Sequence, residues 1–123
     1  MFTYNYANSI LNSLCDNAYL GLSTTTPSQD GTGVTEPTDS AYKRISIDNM
    51  MASAANGEIT NAEELHFNAS TAAWGSTVTH VCVYDSKTGG TPKAYGALTT
   101  PLSITAGNIV PTIKVGDITI TID

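Results

Sequence analysis

The stretch Thr77–Asp85 sets the strongest constraint on how this chain can fold. Read at a period of two, Val78, His80, Cys82 and Tyr84 face one way. Thr77, Thr79, Val81 and Val83 face the other. Both faces carry apolar side chains, so this strand needs cover on both sides and a place inside a sheet rather than at its edge. The C-terminal run Ile118-Thr119-Ile120-Thr121-Ile122 repeats the period cleanly, with Ile inward and Thr outward.

Shorter strand signals fill most of the remaining chain. Tyr19-Leu20-Gly21-Leu22-Ser23 is a short apolar strand. Further strands are expected over Tyr42–Asp48, Glu63–Phe67, Ala94–Thr99, Leu102–Thr105 and Ile109–Val115. Met50–Ala55 reads as a helical turn or irregular core filler, and Ala69–Gly75 as a turn carrying Trp74. Gly89 and Gly90 supply the positive φ that a tight hairpin requires after the Thr77–Asp85 strand. Only the start of the chain has helical spacing: Ala7, Ile10, Leu11, Leu14, Cys15 and Ala18 form one stripe, with Asn8, Asn12, Ser13 and Asp16 opposite. That helix should end near Asp16 or Asn17. Residues 24–40 carry two Pro, two Gly, many Ser and Thr, and only Val34 as a clear apolar side chain, which reads as a long loop. The expectation is one domain over 1–123: a helix within 1–18, a loop over 24–40 and a strand-rich remainder over 41–123. Its fold class is mainly β, an antiparallel β-sandwich or partly open barrel with one N-terminal α-helix.

A chain of 123 residues buries about two thirds of its unfolded surface, enough for one hydrophobic core. Charged residues make up 13%, about half of the usual share. The polar surface must then be built from Ser, Thr, Asn and Gln, and a Thr-rich surface suits strands. Net charge is −6, and the five Lys and Arg are scattered. No basic patch exists to meet phosphates, so nucleic acid is not an expected partner. No apolar run approaches the ~20 residues of a membrane span. Met1 to Asn12 lacks the basic start and continuous apolar stretch of a signal peptide. Cys15 and Cys82 lack metal-ligand spacing and are expected as buried free thiols.

Catalytic chemistry finds little support. No Gly-x-Ser-x-Gly turn is present. His66 and His80 sit inside expected strands, and Asp85 would lie about 17 Å beyond His80 along an extended strand. Glu63 and Glu64 are adjacent, so a strand would send them to opposite faces. Asp30-Gly31-Thr32-Gly33 lacks the alternating acids and closing Glu of a calcium loop. Gly89-Gly90 lacks the Lys and the following helix of a phosphate loop. No catalytic, metal or cofactor residues are assigned.

The candidates are instead contact residues. Tyr4 and Tyr6 precede the helix stripe and suit an interface, where a large, half-polar ring is favoured. Pro27, Asp30 and Glu36 in the 24–40 loop, with Tyr42 and Arg44 after it, complete the candidate surface. Arg44 can pair with Glu36 or Asp39 and tie down the loop. Leu22, Ser23, Trp74, Gly75, Asp85, Gly89, Gly90 and Gly96 read as structural positions, with Trp74-Gly75 capping one end of the core.

An ordered series of short motifs runs from Tyr19-Leu20-Gly21-Leu22-Ser23-Thr24-Thr25-Thr26-Pro27 through Gly31, Glu36 and Ala41-Tyr42-Lys43-Arg44. It continues with Asn61-Ala62, Leu65-His66-Phe67, Ala73-Trp74-Gly75 and Val78-Thr79-His80. Tyr84-Asp85, Thr88-Gly89-Gly90, Tyr95-Gly96, Leu98, Gly107 and the final alternating strand complete it. The series resembles a family of small tailed-bacteriophage virion structural proteins, described as tail-fibre or minor tail proteins. The resemblance implies a virion component and supplies no catalytic or metal residue. It leaves three readings: a tail-fibre or minor tail component acting in assembly and host-surface attachment, a head-decoration or head-fibre protein on the capsid, and, weakest, a carbohydrate-active enzyme. The first two imply other virion proteins and copies of the chain itself as partners, a trimer by analogy with threefold fibres, and a host glycan for the first.

Overall fold

The computed structural model of the protein describes residues 2–122. Helix α1 spans Tyr4–Leu14. The Thr3 side chain caps it by accepting from the Tyr6 N–H at 3.4 Å. Ala7, Leu11, Cys15 and Ala18 of the expected stripe are buried, and Ile10 and Leu14 are half-buried. The helix ends at Leu14, two to three residues before the expected Asp16 or Asn17. Asn17 takes a left-handed φ of 52°, and its N–H is held by Asp48 Oδ1 at 3.1 Å. Two polar residues of the opposite face also have structural work. Asn8 accepts from the Gly57 N–H and Asn12 from the Ala54 N–H, both at 2.9 Å, which clamps an irregular segment onto the helix.

Among the described residues eight strands follow: β1 Tyr19–Ser23, β2 Ile45–Ser46, β3 Glu58–Thr60, β4 Leu65–His66, β5 Val78–Tyr84, β6 Ala94–Leu102, β7 Thr112–Ile113 and β8 Thr119–Thr121. One sheet has the order β2-β1-β5-β6, and the pairs β3-β8 and β4-β7 form two smaller ones. Every pairing is antiparallel. The architecture is a β-sandwich with one N-terminal helix and no closed barrel among the described residues. β5 lies between β1 and β6, with Leu22 opposite Val81 and Gly96 opposite Val81 on its other side. Val78, Val81, Cys82, Val83 and Tyr84 are all buried, as a strand covered on both faces requires.

The expected break between Ala94–Thr99 and Leu102–Thr105 is absent, because β6 continues to Leu102. His80 pairs with Ala97 and Val78 with Leu102, so β6 takes five steps where β5 takes two. That bulge accommodates Pro101, which has no N–H to give the ladder. Gly89 and Gly90 do have positive φ, at 68° and 76°, but they do not make a two-residue turn. Residues 85–93 form a wide loop, closed by the Lys93 N–H on the Val83 carbonyl at 2.8 Å.

Three expected strands shrink to two residues each: β2, β4 and β7. Beside β4 and β7 a buried side chain takes part of the missing ladder's place. Asn61, 1% exposed, donates to the Glu63 and Lys114 carbonyls and accepts from the Ile118 N–H. It satisfies backbone groups that regular pairing would otherwise satisfy. The C-terminal alternation holds: Ile118 and Ile120 are buried, and Ile120 pairs with Ile59. An isolated bridge from Leu98 to Ile118 connects β6 to the start of β8.

Gly96 sits at that junction. A Cβ there would run into the Thr119 carbonyl oxygen and lie 3.2 Å from Ile120 Cγ1. Gly96→Ala is expected to cost about 1–3 kcal/mol through forced separation of β6 and β8. A urea midpoint within experimental error of wild type would show that β8 gives way freely.

Candidate functional site

The segment 24–40 crosses the surface as an ordered strap. Its first half is closed on itself. Ser23, fully buried, accepts from the Thr25 and Thr35 N–H groups at 3.2 Å and donates to the Thr25 carbonyl at 2.7 Å. The Thr24 N–H donates to the Thr35 carbonyl at 2.9 Å. Asp30 accepts from the Thr32 hydroxyl at 2.7 Å and its N–H at 3.0 Å, which holds the Asp30 carboxyl below its ordinary range.

The second half of the strap is anchored by two acids. Glu36 receives Arg44 as a two-pronged pair, NH2 to Oε1 at 2.8 Å and Nε to Oε2 at 3.2 Å. The Arg44 side chain is 6% exposed and that of Glu36 27%. Arg44 also donates through NH1 to the carbonyls of Ser86 and Gly89, at 3.1 and 2.8 Å. Its guanidinium lies 3.3 Å from the centroid of the Tyr84 ring. Tyr42 donates its hydroxyl to Glu36 Oε2 and accepts from the Leu22 N–H. Gly21 leaves room for this cluster: a Cβ there would sit 3.0 Å from Glu36 Oε2 and 3.1 Å from the Tyr42 oxygen. Burial, together with the hydrogen bond to Glu36, raises the Tyr42 hydroxyl far above its ordinary pKa. Burial by itself would lower Arg44, but the bond to Glu36 together with the charges of Glu36, Tyr84 and Tyr42 more than offsets it, so its pKa is raised and the guanidinium stays charged.

Asp39 makes the second anchor. It accepts from the Ala41 N–H, the Thr71 hydroxyl and N–H, and Trp74 Nε1, at 2.7–3.0 Å. The Ala41 N–H and the Thr71 donors hold its carboxyl well below the usual carboxylate range. Trp74 meets Tyr42 edge-on at 6.2 Å, and Tyr42 stacks on Phe67 at 6.1 Å. The half-buried Trp74 thus packs against the core through Tyr42 and Phe67.

The other candidates lie in two different settings. Tyr4 and Tyr6 are 64% and 59% exposed on α1. Phe2, 44% exposed, meets the Tyr6 ring at 5.4 Å, while Tyr4 lies on another side of the helix near Gly57. Sequence reasoning missed Phe2. Its signal was its place before the Thr3 cap, where an apolar residue packs onto the first helical turns. Pro27 is buried and Asp30 exposed. Tyr42 and Arg44 point inward and position the strap rather than face solvent. Leu22, Ser23 and Gly96 are buried, Gly75 is exposed at a φ of 76°, and Asp85 faces Lys93 across 3.7 Å at the surface.

The two histidines lie apart, each with its own partner. His80 Nδ1 bonds the Thr79 hydroxyl at 2.8 Å, and exposed His66 bonds Thr112 and faces Glu64. Among the described residues, no three His, Cys, Asp or Glu gather at one point. No helix among them is long and apolar enough to cross a membrane.

Cys15 and Cys82 are buried free thiols, as expected. Burial pushes both pKa values up from 9.0 to about 11. The unfolded chain loses these protons first, so their contribution to stability is complete below pH 9 and is lost as pH rises to 11. The urea midpoint should fall over that window, and the fall should be shallower in C15A/C82A. A thiol reagent at pH 8 should react only after unfolding, and fast reaction of the native protein would contradict the burial.

Comparison with known proteins follows the same direction. No curated protein matches the chain. The family model described as podophage GP4 fiber I protein gp80 matches residues 3–121, nearly the whole chain. The chain therefore belongs to the podophage GP4 fiber I protein gp80 family, and it is a structural component of the phage virion.

Proposed function

We propose that this chain is a non-enzymatic tail-fibre module that works by docking, onto copies of itself and onto other virion proteins. The observation that carries this reading is the three exposed rings at the start of α1, Phe2 paired with Tyr6 and Tyr4 on another side of the helix. Large rings left in water on a surface otherwise poor in charge are costly unless a partner covers them. Each buried ring contributes area and little entropic penalty, which is why Tyr and Phe anchor interfaces. The hydroxyl-rich strap tip, with Ser28, Gln29, Asp30 and Thr32 exposed, supplies the outward face in this reading, where a host glycan would meet it. Threefold self-association is the arrangement proposed.

Sedimentation of the purified chain tests the assembly part. A species of three times the 12.9 kDa chain mass is expected, reverting to monomer in Y4S/Y6S with the fold retained. A trimer unaffected by that variant would remove those two rings from the interface. Gold labelling of intact particles tests the location: label at the tail supports the fibre reading, and dense label over the head overturns it in favour of capsid decoration.

A further inference from the structure

We propose that Arg44 is a latch that couples the strap to the β5–β6 loop, so that the two segments open and close as one unit. The Glu36–Arg44 cluster is not a ligand site, and the donor count shows why. A guanidinium has five N–H groups. Four are taken, by the two Glu36 oxygens and by the Ser86 and Gly89 carbonyls. With 6% of the side chain exposed, no anion has both access and partners there. What the arrangement does is join two pieces of chain that are distant in sequence.

Apart from the buried Pro27, each piece is held mainly by bonds within itself. The strap tip bonds within itself: Thr25 to Gly33, Ser28 to Thr32, Gly31 to Ser28, and Thr32 to Asp30. It is a self-closed flap with its feet at Ser23 and Glu36. The β5–β6 loop has one internal side-chain bond, from the Ser86 hydroxyl to the Thr88 carbonyl, and a surface ion pair between Lys93 and Asp85. The two meet side by side, since a Cβ on Gly31 would run into the Thr91 methyl. Arg44 holds the flap through Glu36 with one edge of its guanidinium and the loop through NH1.

The coupling follows from the cost of an unpaired buried charge. If Glu36 lifts away with the flap, Arg44 is left buried with the Tyr84 ring and two carbonyls but no counter-charge. It must then turn out to water, and in doing so it releases Ser86 and Gly89. Opening one segment therefore opens the other, and the tip is presented either whole or not at all.

Hydrogen exchange on the full chain, wild type against E36Q, tests this directly. Glu36 makes no hydrogen bond to residues 86–92, so a local effect would stop at the strap. Coupling predicts that exchange of the Lys93 N–H, which closes the loop on the Val83 carbonyl, rises about tenfold together with that in 26–35, the size expected for losing charge-assisted bonds. Protection in β5 should stay unchanged as the control for the fold. A rise confined to 26–35, or no rise in either segment, overturns the latch. Should E36Q lose β5 protection, E36D keeps the charge but shortens the reach. The same paired rise is expected of it, and a rise in the strap alone again refutes the coupling.

Discussion

Arg44→Ala is expected to lower the stability of the protein by about 3 kcal/mol, read as the urea midpoint followed by Trp74 fluorescence. Three contributions disappear together. The two-pronged pair with Glu36 is broken, the Ser86 and Gly89 carbonyls lose their donor, and the Tyr84 ring loses the cation seated on it. Removing one partner of a buried pair costs about 3–5 kcal/mol, chiefly because the other charge stays behind without compensation. The Glu36 side chain is 27% exposed, so water reaches it and the loss falls at the low end. Arg44→Lys should recover only part, since an ammonium keeps the charge but cannot fork onto both carboxylate oxygens. R44A/E36Q should be less destabilised than the two single changes added together, by about 1 kcal/mol or more, because the orphaned carboxylate is gone. A loss under about 1 kcal/mol for Arg44→Ala would place the pair among solvent-screened surface bridges.

Leu22→Ala should cost about 3–5 kcal/mol. Leu22 is fully buried in β1, opposite Val81, and its N–H is fixed by the Tyr42 hydroxyl at 2.9 Å. β1 is held between β2 and β5 and cannot slide to fill the gap, so the cavity stays open. The urea midpoint should drop with no change in slope. Thr121→Ala, on the exposed side of β8, should stay within about 0.5 kcal/mol and serves as the reference. A Leu22 variant as mild as that reference would mean that the neighbouring core relaxes into the space.

Part of this architecture is legible without coordinates. β1, β5 and β8 declare themselves because a covered strand repeats every two residues, and the repeat survives wherever pairing is regular. The helix stripe is legible for the same kind of reason at a period near 3.6. β2, β4 and β7 were expected longer because their neighbours alternate too. Next to β4 and β7 a side chain, Asn61, takes over bonds to the Glu63 and Lys114 carbonyls and the Ile118 N–H. Nothing in the local pattern around an Asn announces that. The β6 bulge is similar: Pro101 looks like a strand end until β5 supplies a register that tolerates it.

The candidate site divides along the same line. That Arg44 can tie down the strap through an acid is readable from its place directly before an apolar strand and after an acidic loop. Which acid it takes is not, since Glu36 and Asp39 are both near in sequence. Tertiary structure decides: Asp39 is drawn to Trp74 Nε1 and the Thr71 donors, and Glu36 is left facing Arg44 and the Tyr42 hydroxyl. The carbonyls of Ser86 and Gly89 reach Arg44 only because β1 and β5 pair, which brings residues over 40 positions apart into contact. The sequence by itself determined a β-rich fold, its central strand, its single helix and its buried thiols, because periodicity and apolar burial are local signals. Only the tertiary structure decided the partners of each polar group, because a hydrogen bond depends on distances that strand pairing alone creates.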